Sequence, residues 1–503
     1  MPRTRNPTGA MEKVTAMIRS FIKTFVLVVG FAIPGSICIA GAILPVGQAE
    51  YDFIYDRQLH EEARSLDYID YQLGPYRIDT GDIWLGPFRS LCDVTGDSVN
   101  VFAFAAEDFR SIRKLRATSF GKLQAGVSGR PADRLFVYAG FILDEELAKD
   151  EHYTGKKWRG FAGDVEQAFV HYHTNHLEAT FGRFASFWGP RNSLVLAPAQ
   201  KLDGFGYSFR WGRLTASYRL ARLDGLDPDE DDVEQFENRY FAAHRFDFHL
   251  ARNLTVGLFE TVVFGGPGRQ IDLFYLNPLI FFHGTQLNEG LNDNTTVGFD
   301  FTYKPKAGCK LYGQLLIDDI QLDNKSQGDQ EPDQLGIIAG CYIADFGPGF
   351  DVNVEYSRVN NWTFNQMHER NRYLYHHKPI GGALGNDYDI IDLKVLKWFG
   401  DGLKGSVNLG YYRQGEGTIE DLFDSPWAQI EGDYTEPFPT GVVERTFSVA
   451  LGFSGFLTGF AFVDVEAGFN RVENWHHLEG ADETLPFFGA YLSTFCFKTI
   501  GIN

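Results

Sequence analysis

The chain of 503 residues contains 45 Phe, 23 Tyr and 54 Gly, and it carries a formal net charge of −20. This acidic balance excludes a nucleic-acid-binding protein, because nucleic-acid phosphates would be repelled. Five cysteines in a chain of this length exclude a disulfide scaffold.

The first predicted element is a signal peptide over residues 1–49. Thr24 to Leu44 is an apolar run that follows Arg19 and Lys23, and Gly47-Gln-Ala49 forms a small-x-small cleavage site. We expect export with cleavage after Ala49, and a signal anchor is the alternative because the run is long. After residue 50 there is no apolar stretch of about twenty residues, so we expect no transmembrane helix in the mature protein.

Residues 50–98 predict a small periplasmic helical segment. Its apolar side chains recur at helical spacing with charges between them; they are Phe53, Ile54, Leu59, Ala63 and Leu66. We expect this segment to pack against the mouth of a barrel or against a partner, where it is one candidate obstruction of the lumen.

Residues 99–503 predict an all-β transmembrane barrel. In segments such as 403–413 and 460–470, polar and apolar residues alternate, which is typical of a strand with one wet face and one apolar face. Short turns alternate with long polar connections throughout, as in outer-membrane barrels with periplasmic turns and extracellular loops. Both chain ends then lie in the periplasm, so the strand number is even. We predict eighteen antiparallel strands, from 99–106 to 488–497.

Charged residues on the strands predict an ionic network across the lumen, because an Arg or Lys facing lipid at the membrane midplane costs ~2–4 kcal/mol. The segment Tyr275-Leu-Asn-Pro278 is predicted to plug the lumen, since Leu279-Ile-Phe-Phe282 follows it. An open pore with selective charges is the alternative. The lumen or plug candidates are Arg183, Arg245, Glu260, Tyr275, Asn277, Asp318 and Glu355.

Two further features leave alternatives open. Cys309 and Cys341 are expected roughly opposite each other on neighbouring strands, both facing outward, either as a cross-strand disulfide or as two lipid-facing thiols. The acidic connection 224–239 is read as a solvated loop or as a calcium site, although its spacing matches no EF-hand loop.

The long connections carry residues suited to carbohydrate. Sugar CH groups stack on flat aromatic faces, and planar polar groups bind hydroxyls and uronate carboxylates. The polysaccharide-binding candidates are Trp188, Arg191, Trp362, Arg370, Arg372, Tyr373, Tyr375 and His376. The alternatives are an aromatic girdle at the membrane interface and a plug folded into the lumen.

Several motifs, in order, resemble the capsule-assembly Wzi family of outer-membrane barrels. They include Phe181-Gly-Arg-Phe-Ala-Ser-Phe-Trp-Gly-Pro-Arg191, Leu202-Asp-Gly204 and Tyr275-Leu-Asn-Pro278. Arg191 stands where the family usually has a second glycine. The resemblance implies an eighteen-stranded barrel with a periplasmic helical bundle, which acts as a surface lectin holding capsular polysaccharide.

The sequence therefore favours a non-enzymatic outer-membrane protein that binds and anchors capsular or other surface polysaccharide. No hydrolase elbow, zinc-protease pair or Walker-type phosphate loop is present in the sequence, and no cofactor or metal is predicted. We expect a monomer in contact with outer-membrane lipid and lipopolysaccharide. An outer-membrane porin or saccharide channel is the alternative.

Overall fold

The computed structural model describes residues 42–43, 48–66, 77–78, 98–112, 116–186, 188–190, 192–196, 201–226, 237–320, 330–382, 384–400, 402–430, 434–458 and 460–501. The predicted signal peptide lies almost wholly outside these residues, as do Arg191 and residues 227–236 of the acidic connection. Of the predicted helical segment 50–98, only residues 50–66, 77–78 and 98 are described.

Eighteen long antiparallel strands form the wall of a closed barrel, which confirms the predicted fold class and strand number. The short strand Lys157–Trp158 extends one hairpin of this wall. The strands are β1 Ser98–Ile112, β2 Arg116–Ala132, β3 Leu135–Asp144, β4 Phe161–His173, β5 Leu177–Ala185, β6 Lys201–Trp211, β7 Leu214–Arg222, β8 Glu237–Ala251, β9 Leu254–Pro267, β10 Asn294–Lys306, β11 Cys309–Asp319, β12 Gln334–Phe346, β13 Phe350–Val359, β14 Tyr388–Trp398, β15 Leu403–Gln414, β16 Glu444–Thr458, β17 Ala461–Glu473 and β18 Glu483–Gly501.

The barrel closes where β18 pairs with β1, in a register that runs from Phe487 opposite Ile112 to Gly501 opposite Ser98. Short turns join the strands at one end, and most long connections lie at the other. The predicted connection 107–118 is the exception, because β1 and β2 extend until only residues 113–115 separate them.

Side chains alternate between the two faces of each strand. On β10, Val297 and Phe299 are exposed on the outer face, whereas Asp300 and Thr302 are buried on the inner face. A barrel that is apolar outside and polar inside is suited to a bilayer. Within the described ranges, neither helix has the length and apolar character needed to cross a membrane.

Helix α1, Gln48–Arg64, lies inside the barrel at the short-turn end. The ring of Phe53 makes edge contacts with Trp398, Phe456 and Phe462, at centroid distances of 5.5–5.7 Å. Phe53, Ile54 and two other apolar positions predicted from the helical spacing, Leu59 and Ala63, are buried. The apolar stripe of the sequence therefore faces the inner wall, except that Leu66 lies beyond the end of the helix and is exposed.

Ion pairs also attach α1 to the wall. Asp56 pairs with Lys394 at 2.6 Å and with Lys404. Glu62 pairs with Lys310 at 2.6 Å. These partners lie on strands β11, β14 and β15, so the helix is held across the lumen.

The carboxyl of Glu50, in the first turn of α1, gives a pH-dependent prediction. It is fully buried and accepts a hydrogen bond from Ser493. Burial raises the pKa of Glu50 from 4.5 to about 7. Because a raised carboxyl pKa favours the protonated form in the folded state, this group's stabilisation is lost as the pH rises through about 7. We expect the precursor that retains residues 1–49, in which Glu50 is not the amino-terminal residue, to lose up to about 3 kcal/mol between pH 5 and pH 8 through this group.

Thermal unfolding at both pH values measures this loss. Glu50→Gln should flatten the profile, and Glu61→Gln, an exposed position on the same helix, should leave it unchanged. Equal pH dependence in Glu50→Gln and wild type would contradict the assignment.

Cys309 and Cys341 are free thiols on neighbouring strands. Cys309 pairs with Ile343 and Cys341 with Leu311, so the two cysteines are diagonal rather than directly opposite. This diagonal placement agrees with the expectation that the two cysteines lie roughly opposite each other.

Candidate functional site

Two long connections fold into the lumen and pack against each other. Tyr373, Leu194 and Val195 are fully buried in one apolar core, which also includes Phe241 from the inner face of β8. The Tyr373 hydroxyl donates a hydrogen bond to the Val195 carbonyl oxygen at 2.7 Å. We call the described parts of these connections, 186–196 and 360–387, the lumen plug.

Backbone groups of the plug are bound by side chains of the wall. The guanidinium of Arg239 donates to the carbonyl oxygens of Arg370, Arg372 and Leu374 at 2.8–3.0 Å. The backbone amide of Phe364 donates to Asp318 at 2.6 Å. Because buried carbonyl and amide groups need partners, these contacts fix the path of the plug.

A buried ionic cluster lies beneath the plug. Arg245 binds Asp247 and Asp300, all of them on the inner face and almost completely buried. Gln314 connects this cluster to the plug, since its amide nitrogen donates to Asp300 and its amide oxygen accepts from the Leu194 amide at 2.7 Å.

The structure places the polysaccharide-binding candidates in different environments. Trp188, Trp362, Arg372 and Tyr373 are buried, so these side chains have no free surface for a polymer. The indole nitrogen of Trp362 donates to Glu436 at 2.7 Å, and its ring contacts Phe423 and Trp427 edge-on. Arg370 and Tyr375 are half-buried, His376 is exposed, and Arg191 lies outside the described residues.

The structure places the seven lumen or plug candidates on both sides of the barrel wall. Arg245, Asp318 and Glu355 face the lumen, where Glu355 accepts hydrogen bonds from Tyr312 and Asn192. The lumen assignment is wrong for Glu260, Tyr275 and Asn277. Glu260 alternates with the inward residues Phe259 and Thr261, and Tyr275 packs on the same outer face of the wall. Asn277 is exposed in the same external connection.

Arg183 is also misplaced by the sequence-based prediction. It shares the outer face of β5 with Phe181, which is 69% exposed. Its guanidinium binds Asp203 at 2.7 Å and Asp164 at 3.1 Å near the long-connection end. Charge reaches the outer wall here because this position lies near the rim, where water remains accessible.

At the long-connection end, a hairpin of the plug reaches the surface. Leu374–Tyr375 pairs with Lys378–Pro379, and the two-residue turn between them is His376-His377. Both histidines have positive φ, 48° and 60°, a conformation that such turns require and that usually selects glycine or asparagine. The turn therefore presents two imidazoles at an exposed tip.

The tip contacts a second connection, 145–160. The rings of His377 and His152 are stacked with centroids 4.0 Å apart, and Lys378 binds Asp150 at 3.0 Å. The hydrogen bond from Lys378 lowers the pKa of Asp150. The neighbouring Trp158 is 64% exposed, with the guanidinium of Arg159 5.0 Å from its ring centroid. We call residues 152–159 together with 375–378 the tip surface.

The sequence analysis did not single out residues 152–159. A signal was present, because His152-Tyr-Thr-Gly-Lys-Lys-Trp-Arg159 combines aromatic and basic residues without a carboxylate in an acidic chain. The connection was passed over because larger aromatic clusters occur in the plug.

A chamber of about 840 Å³ occupies the other side of the lumen. It extends from Asp52 and Asp56 of α1 to Arg110 and Glu146 near the long-connection end. Eight carboxylates and four basic side chains line it. The chamber is therefore acidic, and it favours cations over polyanions.

Comparison with known proteins places this geometry in a family. Residues 201–485, more than half of the chain, match the family model described as capsule assembly protein Wzi. No curated protein sequence matches. Among solved structures, the chain is similar to Wzi of Escherichia coli, described as an outer-membrane protein involved in group 1 capsule assembly and a carbohydrate-binding β-barrel. That match has 14% identity and a TM-score of 0.58, and it covers 91% of this chain and 99% of the other.

A second similar structure is the outer-membrane protein OpdK of Pseudomonas aeruginosa. It has 12% identity and a TM-score of 0.45, with coverage of 80% of this chain and 99% of the other. At these identities the structural likeness concerns the fold alone. The closed eighteen-stranded barrel and the family match together show that this chain is an outer-membrane protein of the capsule assembly protein Wzi family.

Proposed function

We propose that this protein binds and anchors capsular or other surface polysaccharide without chemically changing it, and that the tip surface makes the contact. The observation that carries the proposal is the exposed Trp158 among Lys156, Lys157 and Arg159. Outer-membrane barrels direct their long connections outward, so this surface faces the polymer. The Wzi structure described as a carbohydrate-binding barrel supports the same ligand class.

The tip surface has the chemistry that an acidic polysaccharide requires. An indole ring offers an apolar face to sugar CH groups, and basic side chains make charge-assisted hydrogen bonds to uronate carboxylates. Residues 152–159 contain no carboxylate, whereas Asp150 and Glu420 bind Lys378 and His377 at the other part of the tip surface. The basic side chains of Lys156, Lys157 and Arg159 therefore supply the attraction for an anionic polymer.

Retention of a long polymer needs only weak individual contacts. A repeating chain that engages many barrels at once is held far more tightly than a single repeat, because each later contact is intramolecular. We propose that one monomer supplies one such contact from the outer membrane. The proposal assigns no catalytic step, so the polymer's length should be unchanged.

The test uses a deletion strain of the native host complemented with variants. Trp158→Ala should weaken binding of purified protein to the host polysaccharide about tenfold, which corresponds to ~1.4 kcal/mol. It should also shift polymer from the cell pellet to the medium at constant total amount. The matched control is Trp211→Ala, since Trp211 is also strongly exposed (74%, against 64% for Trp158) but lies at the short-turn end.

The triple variant Lys156→Ala/Lys157→Ala/Arg159→Ala should release polymer as well, and its binding should lose most of its salt dependence. Wild-type partition in both tip variants, with folded barrel present at normal level, would refute the tip surface as the binding site.

A further inference from the structure

The connection between β9 and β10 lies against the outside of the barrel. Tyr275 and Phe282 from this connection pack on Tyr218, Val262 and Phe264. Along β9, Val262 and Phe264 alternate with Val263, which belongs to the apolar core of the lumen plug. Residues 268–293, which we call the flap, therefore cover the outer face of β7–β10.

The flap contains helix α2, Phe282–Glu289, and a wall carboxylate binds its amino-terminal end. Glu260 accepts hydrogen bonds from the backbone amides of Phe282 and His283, at 2.8 and 2.6 Å. His244 lies 3.2 Å from the same carboxylate. Free amides at a helix start and a nearby anion stabilise each other, so Glu260 holds α2 against the wall.

The flap has polar groups on the side that faces the wall and large apolar side chains on its outer side. This is the opposite of the surface of a water-soluble protein. The hydrogen bonds of the flap point toward the wall: Tyr218 donates to the Tyr275 carbonyl oxygen, and Thr295 donates to Gln286. Its outward side chains include Leu273 and Leu279, 81% and 80% exposed, together with Phe281 and Leu287. Such an outward apolar surface is unfavourable in water and is stable in hydrocarbon, where backbone groups must be satisfied internally.

The polarity of the flap changes with its depth along the barrel wall. Glu260 lies seven residues below Pro267, about 23 Å along β9, so the start of α2 is near the middle of the wall. The deep part, residues 273–283, is apolar except for Asn277 and for His283, whose ring is hydrogen-bonded to Thr295 of the wall. The shallow part is polar and ionic, because Arg269 binds Asp272 and Asp293 near the rim.

The surface below the flap continues the lipid-facing band. Leu258 and Phe299 lie opposite each other on the outer faces of β9 and β10 and are 49% and 43% exposed. Leu279 and Phe281 extend this band upward over the wall. A docked second barrel would need a water-free contact over the same area, whereas acyl chains already surround the band.

We infer that the flap is a membrane-embedded element, held by Glu260, whose outward apolar side chains contact the acyl chains of the outer leaflet. The extracellular connection between β9 and β10 is therefore part of the barrel's lipid-exposed surface. The flap covers Glu260 and His244 of the wall, which would be unfavourable in contact with lipid. It exposes leucine and phenylalanine side chains to the acyl chains instead.

The test measures collision of a spin label with oxygen, which concentrates in lipid, and with a water-soluble nickel chelate. The full-length mature protein, with its cysteines replaced by serine, is reconstituted in phosphatidylcholine vesicles. The label is placed at Leu279→Cys. Leu258→Cys is the lipid-facing control, and Leu422→Cys, 80% exposed in the connection 415–443, is the aqueous control.

We expect Leu279→Cys to match Leu258→Cys, with high oxygen and low nickel accessibility. Accessibility like that of Leu422→Cys would overturn the inference in favour of a flap in water. Shielding from both reagents would overturn it in favour of a second protein copy on the flap. Adding Glu260→Ala should shift Leu279→Cys toward the nickel reagent, whereas Glu289→Ala should not. If the accessibility of the label at position 279 is the same with and without Glu260→Ala, Glu260 is not the group that holds the flap.

Discussion

Replacing Arg245 by methionine should destabilise the barrel by about 3–5 kcal/mol. The change leaves the carboxylates of Asp247 and Asp300 buried in the lumen without their cation. Gly257 is part of this arrangement, because a Cβ there would collide with the Arg245 guanidinium. The measurement is the free energy of unfolding from urea titration in lipid vesicles, followed by tryptophan fluorescence.

Arg183 provides a matched control, since it also binds two aspartates. Its side chain is 25% exposed and its partners are half-exposed, compared with 1% for Arg245. Arg183→Met should therefore cost less than about 1 kcal/mol. An equal loss of unfolding free energy in the two variants would contradict the prediction. It would show that water weakens the ion pairs of the lumen cluster as much as those of Arg183 near the rim.

Release of α1 should convert the closed barrel into a cation-selective channel. The double variant Phe53→Ala/Asp56→Ala removes the ring that contacts three wall aromatics and the carboxylate that pairs with two lysines. Loss of a buried phenylalanine alone costs about 3–5 kcal/mol, enough to undock a short helix. The acidic chamber then connects the two ends of the lumen.

Single-channel recording of purified protein in planar bilayers measures this change. We expect little conductance from wild type and from Arg64→Ala, an exposed position at the end of the same helix. The double variant should conduct, with cations favoured because carboxylates outnumber basic groups in the chamber. Wild type that conducts as well as the double variant would instead support the porin alternative.

The strands were predictable because each one carries two chemically different faces. In β10 and β15 the alternation is regular, and turn residues mark the ends. The short β1–β2 connection was missed because polar residues such as Glu107 and Arg110 continue the strand beyond the rim. Water surrounds both faces there, so polarity no longer distinguishes a strand from a loop.

Which face points inward could not be predicted wherever another segment covers the wall. Glu260 is a charged residue on an outer face of β9 that otherwise carries Leu258, Val262 and Phe264. Because a charge facing lipid is costly, the charge alone assigns Glu260 to the lumen. The flap reverses that inference because it, rather than lipid, contacts Glu260. Similarly, Tyr373 and Trp362 have the composition of a sugar site, yet burial of those rings stabilises the plug.

The position of α1 also determines an order of events during assembly. Glu50 contacts Ser493, a residue 443 positions later, and Phe53 contacts Phe456 and Phe462. The partners of this early segment therefore extend from Lys310 on β11 and Lys394 on β14 to the last three strands. Contacts this distant form late, because the intervening chain must first be organised. The last of these contacts, between Glu50 and Ser493, requires β18, so complete docking of the helix marks the completion of the fold.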